Sequence, residues 1–410
     1  MNESPSEAAH AETGTSLAVP RHLILFVGAL VALGALSLDT YLPAMPVMAQ
    51  SFGVSMVELN YTISIYLVGY GLGQFFGGAF SDQVGRKRIG LIGLTVFTAA
   101  CIAISFAHTV EEVQWLRFFQ AIGGGFSTVI CMAIVRDVYP ISELGRRMAT
   151  VMLVMLASPV IAPWIGTLLL RFGWQSIFIF KATYASGLGL YYLTSVPETH
   201  HGQWRNLSIV TVLKQCGHVI TRKVDGRRLP MLFAFAMALG ASTFMTFLTN
   251  ASFAYMTYFG VSKTWFPFYF GIGVIGMIAT NTFSMRRLNS SNARRFFRIG
   301  LATQLVAVTV LVGVVLMGAP SIWLVVAPVM FVVGSLGLMG PAGSSQYMSH
   351  FSQLAGSASS MYTTLLFSLG ALFGVISSTL IDGTLRPMAF TMLGTSVAAN
   401  LIAARIYARR

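Results

Sequence analysis

Charge is what this sequence lacks. Of its 410 residues, 10% are Asp, Glu, Lys or Arg, where a soluble domain carries about 25%. Charge therefore cannot cover a water-facing surface of this size. Carboxylates are scarcest: 13 Asp and Glu stand against 26 Lys and Arg, a formal net charge of +13. Such an excess would suit nucleic acid if it lay along one face. The basic residues instead fall in short clusters between apolar runs, which excludes a nucleic-acid partner. The three cysteines, Cys101, Cys131 and Cys216, show neither metal-ligand spacing nor a disulfide framework. There is no phosphate-cradling glycine loop, no pair of carboxylates, and the 7 histidines are scattered. An ATP-driven pump, a membrane enzyme, a bound metal and a cofactor are all unexpected on that basis.

What is present is hydrophobic length. Apolar residues make up 55% of the chain and the mean hydropathy is +0.72. A bilayer-spanning helix needs roughly 20 apolar residues, and such runs recur at 22–44, 58–80, 88–107, 113–135, 147–170 and 174–196. They continue at 229–255, 264–285, 296–317, 320–347, 357–380 and 386–406. Helices are expected, because backbone exposed to lipid must satisfy its own hydrogen bonds. Residues 1–21 carry Glu3, Glu7 and Glu12 and no basic residue before Arg21. They lack the basic start of a secretory signal and read as a tail ahead of an uncleaved first span.

Orientation follows from the basic residues. A cytoplasmic N-terminus puts Arg21, Arg86, Lys87, Arg88, Arg136, Arg146 and Arg147 inside, with Arg205, Lys214, Arg222, Lys223, Arg227 and Arg228. Arg286, Arg287, Arg294, Arg295, Arg298, Arg405, Arg409 and Arg410 join them, leaving Arg171, Lys263 and Arg386 on the other side. Both termini are then cytoplasmic. The expected division is a tail at 1–21, a six-helix bundle at 22–196, a polar linker at 197–228 and a second six-helix bundle at 229–410, the layout of a transporter built from repeats.

The most specific pattern lies between spans 2 and 3, at Gly77-Gly78-Ala79-Phe80-Ser81-Asp82-Gln83-Val84-Gly85-Arg86-Lys87-Arg88. A loop that merely set topology would need the cations but neither Asp82 nor Gly85. In span 4, Arg117-Phe118-Phe119-Gln120-Ala121-Ile122-Gly123 buries an arginine that costs about 2.5–3.5 kcal/mol on insertion scales. In span 5, Ala162-Pro163-Trp164-Ile165-Gly166 follows Pro159, and both prolines remove backbone donors and should bend the helix. The glycines at Gly71, Gly73 and Gly123-Gly124-Gly125 sit inside spans, where close helix packing is their natural role.

These stretches resemble the loop, span-4 and antiporter-helix motifs of the major facilitator superfamily. Leu38-Asp39-Thr40-Tyr41-Leu42-Pro43-Ala44, Val135-Arg136-Asp137-Val138-Tyr139, Pro197-Glu198-Thr199 and Leu354-Ala355-Gly356-Ser357-Ala358-Ser359-Ser360 narrow the likeness. The set is similar to the bicyclomycin/chloramphenicol (Bcr/CflA) group of drug/proton antiporters, from about residue 35 to about 380. The resemblance implies an all-α integral membrane protein of that fold, with twelve spans in two six-helix bundles. It implies a monomer in the bacterial inner membrane that exports small amphipathic drugs or antibiotics in exchange for protons, with no cofactor. Gly78, Asp82, Gly85, Arg86 and Lys87 would brace its cytoplasmic side, and Pro159, Pro163 and Gly166 would form the kinked helix. The matching loop of the second half, with Arg286, Arg287, Asn289, Arg294 and Arg295, keeps the charge but not the Asp and Gly pattern.

Three strongly ionisable side chains fall well inside spans: Asp39, Arg117 and Lys181. Embedded charges are functional candidates by default. Asp39 is the one embedded carboxylate, hence the proton carrier, with Arg117 as its modulator. A cationic substrate beside it would expel the proton, so substrate and proton would compete for one site. Lys181 stands outside the family pattern. It reads as an anion-binding group, a static partner of Asp39, or a side chain reaching for the interface. The expected substrate residues are Asp39, Tyr41, Gln120, Lys181, Phe244, Phe247 and Asn250, with most aromatics between 253 and 269 forming an interfacial belt. Two rival functions remain: export of one specific, anionic metabolite or siderophore with Lys181 as ligand, and a non-transporting receptor on the same scaffold.

Overall fold

The computed structural model describes residues 22–199, 209–224, 226–289, 291–351 and 355–408. Expectations that fall on the tail, on Arg205, on Leu354 and on the last two arginines lie outside the described residues. Among the described residues the chain is helical, with a single isolated bridge between Val224 and Arg227. Eleven helices are long and apolar enough to cross a membrane. The sixth expected span, Gln175–Ser195, matches them in length but is less apolar, since it carries Lys181 among Tyr, Ser and Gly. The helical, multi-span class expected from composition is the one observed.

Boundaries depart from the hydropathy pattern where the backbone is interrupted inside an apolar run. The first helix is Leu23–Asp39. A short 3₁₀ turn at Leu42–Ala44 and a second helix at Met45–Phe52 complete that span. Pro43 cannot donate to the carbonyl four residues back, which is that of Asp39, and it disfavours helical geometry at Leu42. Span 4 likewise runs Val110–Val129 and resumes at Cys131–Val138. Span 5, Ile141–Leu169, stays helical through Pro159 and Pro163. The linker is not a plain loop. It contains a helix, Ile209–Thr221, whose Val219 and Cys216 are buried.

The remaining spans are Met56–Val84 (span 2), Arg86–Ser105 (span 3), Leu229–Ser252 (span 7), Phe266–Arg287 (span 8), Ala293–Leu316 (span 9), Ile322–Met348 (span 10), Ala355–Thr379 (span 11) and Arg386–Tyr407 (span 12). Span 4 packs on spans 2 and 3, span 1 on span 5, and span 6 on span 3. In the second half, span 7 packs on spans 11 and 12, and span 10 on spans 8 and 9. Glycines allow the closest approaches, with Gly123 seated against the backbone of Gly93 and Phe97, and Gly125 against that of Tyr70 and Gly73.

The halves meet along spans 2 and 11 and along spans 5 and 8. At the end bearing the span 1–2 and span 7–8 turns they share one apolar core, in which Leu42, Met45 and Ile63 join Phe247, Tyr255 and Phe266. At the opposite end each half keeps its own core. Hydrogen bonds reinforce the shared end: Ser252 Oγ donates to the Leu42 carbonyl at 2.7 Å, and Thr167 Oγ1 to that of Lys263 at 3.1 Å. Pro46, four residues on, has no N–H to add to the Met45 N–H that already donates to the Leu42 carbonyl, which leaves room for Ser252.

Candidate functional site

The break in span 1 organises a buried polar cluster. Ending a helix strands its last carbonyls. Here the Tyr41 N–H turns to the Leu38 carbonyl at 3.2 Å, so the Ser37 carbonyl loses its helical donor. Two cations take it instead: Arg117 Nη1 donates to Ser37 O at 3.0 Å and Lys181 Nζ donates to the same oxygen at 2.9 Å. The negative end of a helix dipole suits both. Discontinuous helices whose ends face ligands are a recurrent transporter device.

Arg117 is fully buried and its guanidinium lies between two rings, 4.5 Å from the centre of Tyr41 and 4.3 Å from that of Tyr66. Gln120 Oε1 accepts from Nη1 at 2.8 Å, and Gln120 Nε2 donates to Cys101 Sγ at 2.8 Å. Among the described residues Arg117 Nε and Nη2 have no hydrogen-bond acceptor. Unpaired buried donors cost about 1–3 kcal/mol each, so this cluster holds unspent capacity for an acceptor. Tyr41 shares a hydrogen bond with Thr62 at 2.8 Å, tying the break to span 2.

Lys181 is 1% exposed and does not reach for the interface. Its ammonium sits 4.8 Å from the Phe178 ring centre and forms no ion pair. Asp39 is 6% exposed, two residues past the shared carbonyl. None of the close ion pairs among the described residues involves it, so Lys181 stands near Asp39 without touching it. Burial also excludes a freely solvated Asp39.

The other expected substrate residues lie elsewhere. Phe247 is buried in the shared core, 5.9 Å from the Tyr255 ring and stacked on Phe270 at 6.3 Å, while Phe244 is half-buried against the same core. Asn250 bridges the halves: its Nδ2 donates to Ser377 Oγ at 3.0 Å and its Oδ1 accepts from Asn60 at 3.3 Å. The expected aromatic belt is divided: Phe253, Tyr255 and Phe266 are buried, Tyr258, Phe259 and Tyr269 half-buried, and Trp265 and Phe268 exposed. Hydropathy could not separate them, because a sealed end between two halves is as apolar as a lipid-facing one.

A second constellation lies at the other end of span 2. Gly85 adopts φ 103°, a conformation that favours glycine. A Cβ there would strike the Glu198 carboxylate. Through that gap Glu198 accepts from the Arg86 N–H at 2.8 Å and the Lys87 N–H at 3.1 Å, so an anion caps the positive end of span 3. Arg86 is buried; it pairs with Asp82, donates to Ser81 Oγ at 2.6 Å, and reaches Asp137 Oδ2 at 3.3 Å. Lys87 Nζ donates to the Leu193 carbonyl at 2.8 Å. Across the seam, a Cβ on Gly356 of span 11 would lie 3.7 Å from Asp82 Oδ2, and one on Gly78 would lie 3.1 Å from Ser360 Oγ. Four separated sequence patterns thus converge on one spot. The sequence reading missed that Glu198 is the cap; its signal was a carboxylate directly after a proline at the end of span 6.

In span 5, Gly166 faces the break. A Cβ on it would collide with the Thr40 carbonyl and stand 3.0 Å from Thr40 Cα, so the two backbones touch beside Asp39. Pro159 and Pro163 leave the carbonyls of Met155 and Pro159 without helical donors.

Two helical halves meeting at a seam, with cations buried at a broken helix inside the first, define a transporter rather than an enzyme. Residues 25–375 match the family model of the Major Facilitator Superfamily. The chain belongs to that superfamily. Among curated relatives it is 27% identical over 381 residues to the "Bicyclomycin resistance protein homolog" of Haemophilus influenzae, covering 93% of this chain and 94% of that one. It is 27% identical to the "Chloramphenicol resistance protein" of Pseudomonas aeruginosa, covering 88% and 83%. To the "Multidrug resistance protein MdtL" of Shewanella oneidensis it is 34% identical over 181 residues, covering 44% and 46%. The likeness to the bicyclomycin and chloramphenicol group, expected from motifs, is the one these relatives bear out. Among solved structures the fold resembles the D-xylose–proton symporter, with TM-score 0.72 at 14% identity over 94% of this chain and 97% of that one.

Proposed function

We propose that this protein exports small amphipathic compounds, drugs and antibiotics among them, across the bacterial inner membrane in exchange for protons. The relatives' names supply the substrate class. The observation that carries the coupling is Asp39: a buried carboxylate with no ion-pair partner among the described residues, at a helix break whose stranded carbonyl is held by two cations. A carboxylate in that setting is free to exchange a proton, and a bound substrate changes the balance of charge around it. Both termini are proposed to face the cytoplasm and the chain to act as a monomer, driven by the proton gradient without a cofactor. Asp82, Arg86 and Glu198 are proposed to brace the cytoplasmic side while spans 2 and 11 touch.

Everted vesicles loaded with a proton-sensitive dye test this reading. Drug addition releases protons from vesicles carrying the unaltered chain, and Asp39→Asn, inserted at equal amount, abolishes the release. Undiminished release in Asp39→Asn removes Asp39 from the coupling.

A second reading, export of an anionic metabolite, is favoured by the lack of any ion pair to Arg117 or Lys181 among the described residues. Lys181→Met then abolishes transport of anions and spares neutral compounds. Equal loss of both classes refutes it.

A further inference from the structure

Spans 9 and 12 enclose a cleft of about 710 Å³ at the end of the molecule remote from the shared core. Its rim carries Arg294, Arg295 and Arg298; its wall is mostly apolar, with Leu301, Ala302 and Ala404, and the amide of Asn400 in it donates to the Leu301 and Ser396 carbonyls. Arg294 is held in place, its guanidinium stacked 4.3 Å from the Tyr407 ring centre and donating to the Tyr407 carbonyl at 3.2 Å. Arg295 and Arg298 have no ion-pair partner among the described residues. The sequence explains why. From Leu229 to the C-terminus the sole acidic residue is Asp382, in the turn between spans 11 and 12, on the opposite side of the membrane from the turn between spans 8 and 9. The second half therefore offers these arginines no carboxylate of its own.

We propose that this cleft binds an anionic phospholipid, its phosphate on Arg295 and Arg298 and its acyl chain along the apolar wall of spans 9 and 12. Solvated loop arginines are common beside membranes, and three cations alone would say no more than that. The apolar wall running down from the cationic rim is the added feature. It matches a molecule with a phosphate at the membrane surface and a hydrocarbon tail below it, and basic pockets between spans at this depth suit lipid headgroups. A free phosphate would use the rim and leave the wall unfilled.

Native mass spectrometry of the delipidated full-length chain in neutral detergent tests the proposal. Phosphatidylglycerol binds more tightly than phosphatidylcholine. The double variant Arg295→Gln/Arg298→Gln, monodisperse by size exclusion, loses about thirtyfold in phosphatidylglycerol affinity. The equally charge-depleted Arg286→Gln/Arg287→Gln, at the end of span 8 and outside the cleft, keeps it. Ala302→Glu supplies an internal counter-charge one turn from Arg298 and also abolishes preferential binding. Equal loss in the span 8 control, equal affinity for the two lipids, or displacement of the lipid by millimolar inorganic phosphate overturns the proposal; the last outcome would make the rim a free-anion site.

Discussion

Gly166→Ala puts the packing of span 5 on the broken span 1 to a direct test. Two effects of opposite sign compete. Alanine in a helix interior is favoured over glycine by about 1 kcal/mol through backbone entropy. Against it, the new methyl would collide with the Thr40 carbonyl, with Thr40 C and Cα at 2.9 and 3.0 Å. Those are backbone atoms, and the segment is pinned by Pro43, by the two cations on Ser37 and by the Ser252 bond to Leu42. Overpacking against a rigid neighbour costs about 1–3 kcal/mol. Because the struck atoms are backbone, the steric term sits at the upper part of that range, and a net loss of up to about 2 kcal/mol is expected. Gly145→Ala is the control, since it lies in the same helix with nothing within 4 Å of its added Cβ. It should gain the propensity term alone. In detergent, Gly166→Ala melts a few degrees below the parent while Gly145→Ala melts at or above it, and drug-driven proton release falls in Gly166→Ala only. A Gly166→Ala protein as stable as Gly145→Ala would refute the contact.

Glu198→Ala removes an anion from two N–H groups at the start of span 3, each such bond contributing about 1.5–3 kcal/mol, and should lower stability by about 3–6 kcal/mol in chemical denaturation; Glu198→Gln, keeping one acceptor, should lose about half. Lys181→Met exchanges a buried ammonium for an apolar chain of similar volume, a change often neutral or stabilising. Its thermal midpoint should therefore not fall even where transport does, and a drop of several degrees would make Lys181 a structural residue. His350, beyond the end of span 10, is held below its ordinary value of 6.5 by burial, then by Arg222. Protonation then favours the unfolded chain, so stability is full above about pH 6.5 and declines as pH falls through that value. His350→Gln should flatten the melting temperature between pH 7 and 5.

How far the sequence reached depends on which signal each residue leaves. Span count and helical class follow from run length, because a lipid-facing backbone has few alternatives. Lys181 and Arg117 were visible as charges in apolar runs. What they bind was not, since Ser37 contributes a main-chain oxygen that any residue would have supplied. The break was legible in part: Pro43 and Pro46 lie inside a run that hydropathy treats as continuous, yet only the coordinates show Leu42 bonded to Ser252, a residue 210 positions away. Phe247 and Asn250 show the limit from the other side. An aromatic and an amide in span 7 suit a substrate wall or an interface between halves equally well, and the structure puts both at the interface. The constellation around Gly85 reversed that pattern, because each of its four stretches was recognisable alone while their convergence on Asp82, Arg86 and Gly85 required the fold.

The break beside Asp39 ties chemistry to motion through short stretches of main chain. Separating the halves at their shared end must part Ser252 from Leu42 and Asn60 from Asn250. Leu42 is three residues from Asp39, and Thr40 between them is pressed by Gly166 from span 5. On its other side span 1 is held at the Ser37 carbonyl by Arg117 and Lys181 from spans 4 and 6. Residues 38–42, the last turn of the first helix and its junction with the 3₁₀ turn, therefore lie between the contacts that must part and the cations that anchor Ser37. In the proposed coupling, a change of charge on Asp39 acts on this junction and on the two cations beside it, so that main chain as well as side chain would link the proton to the opening.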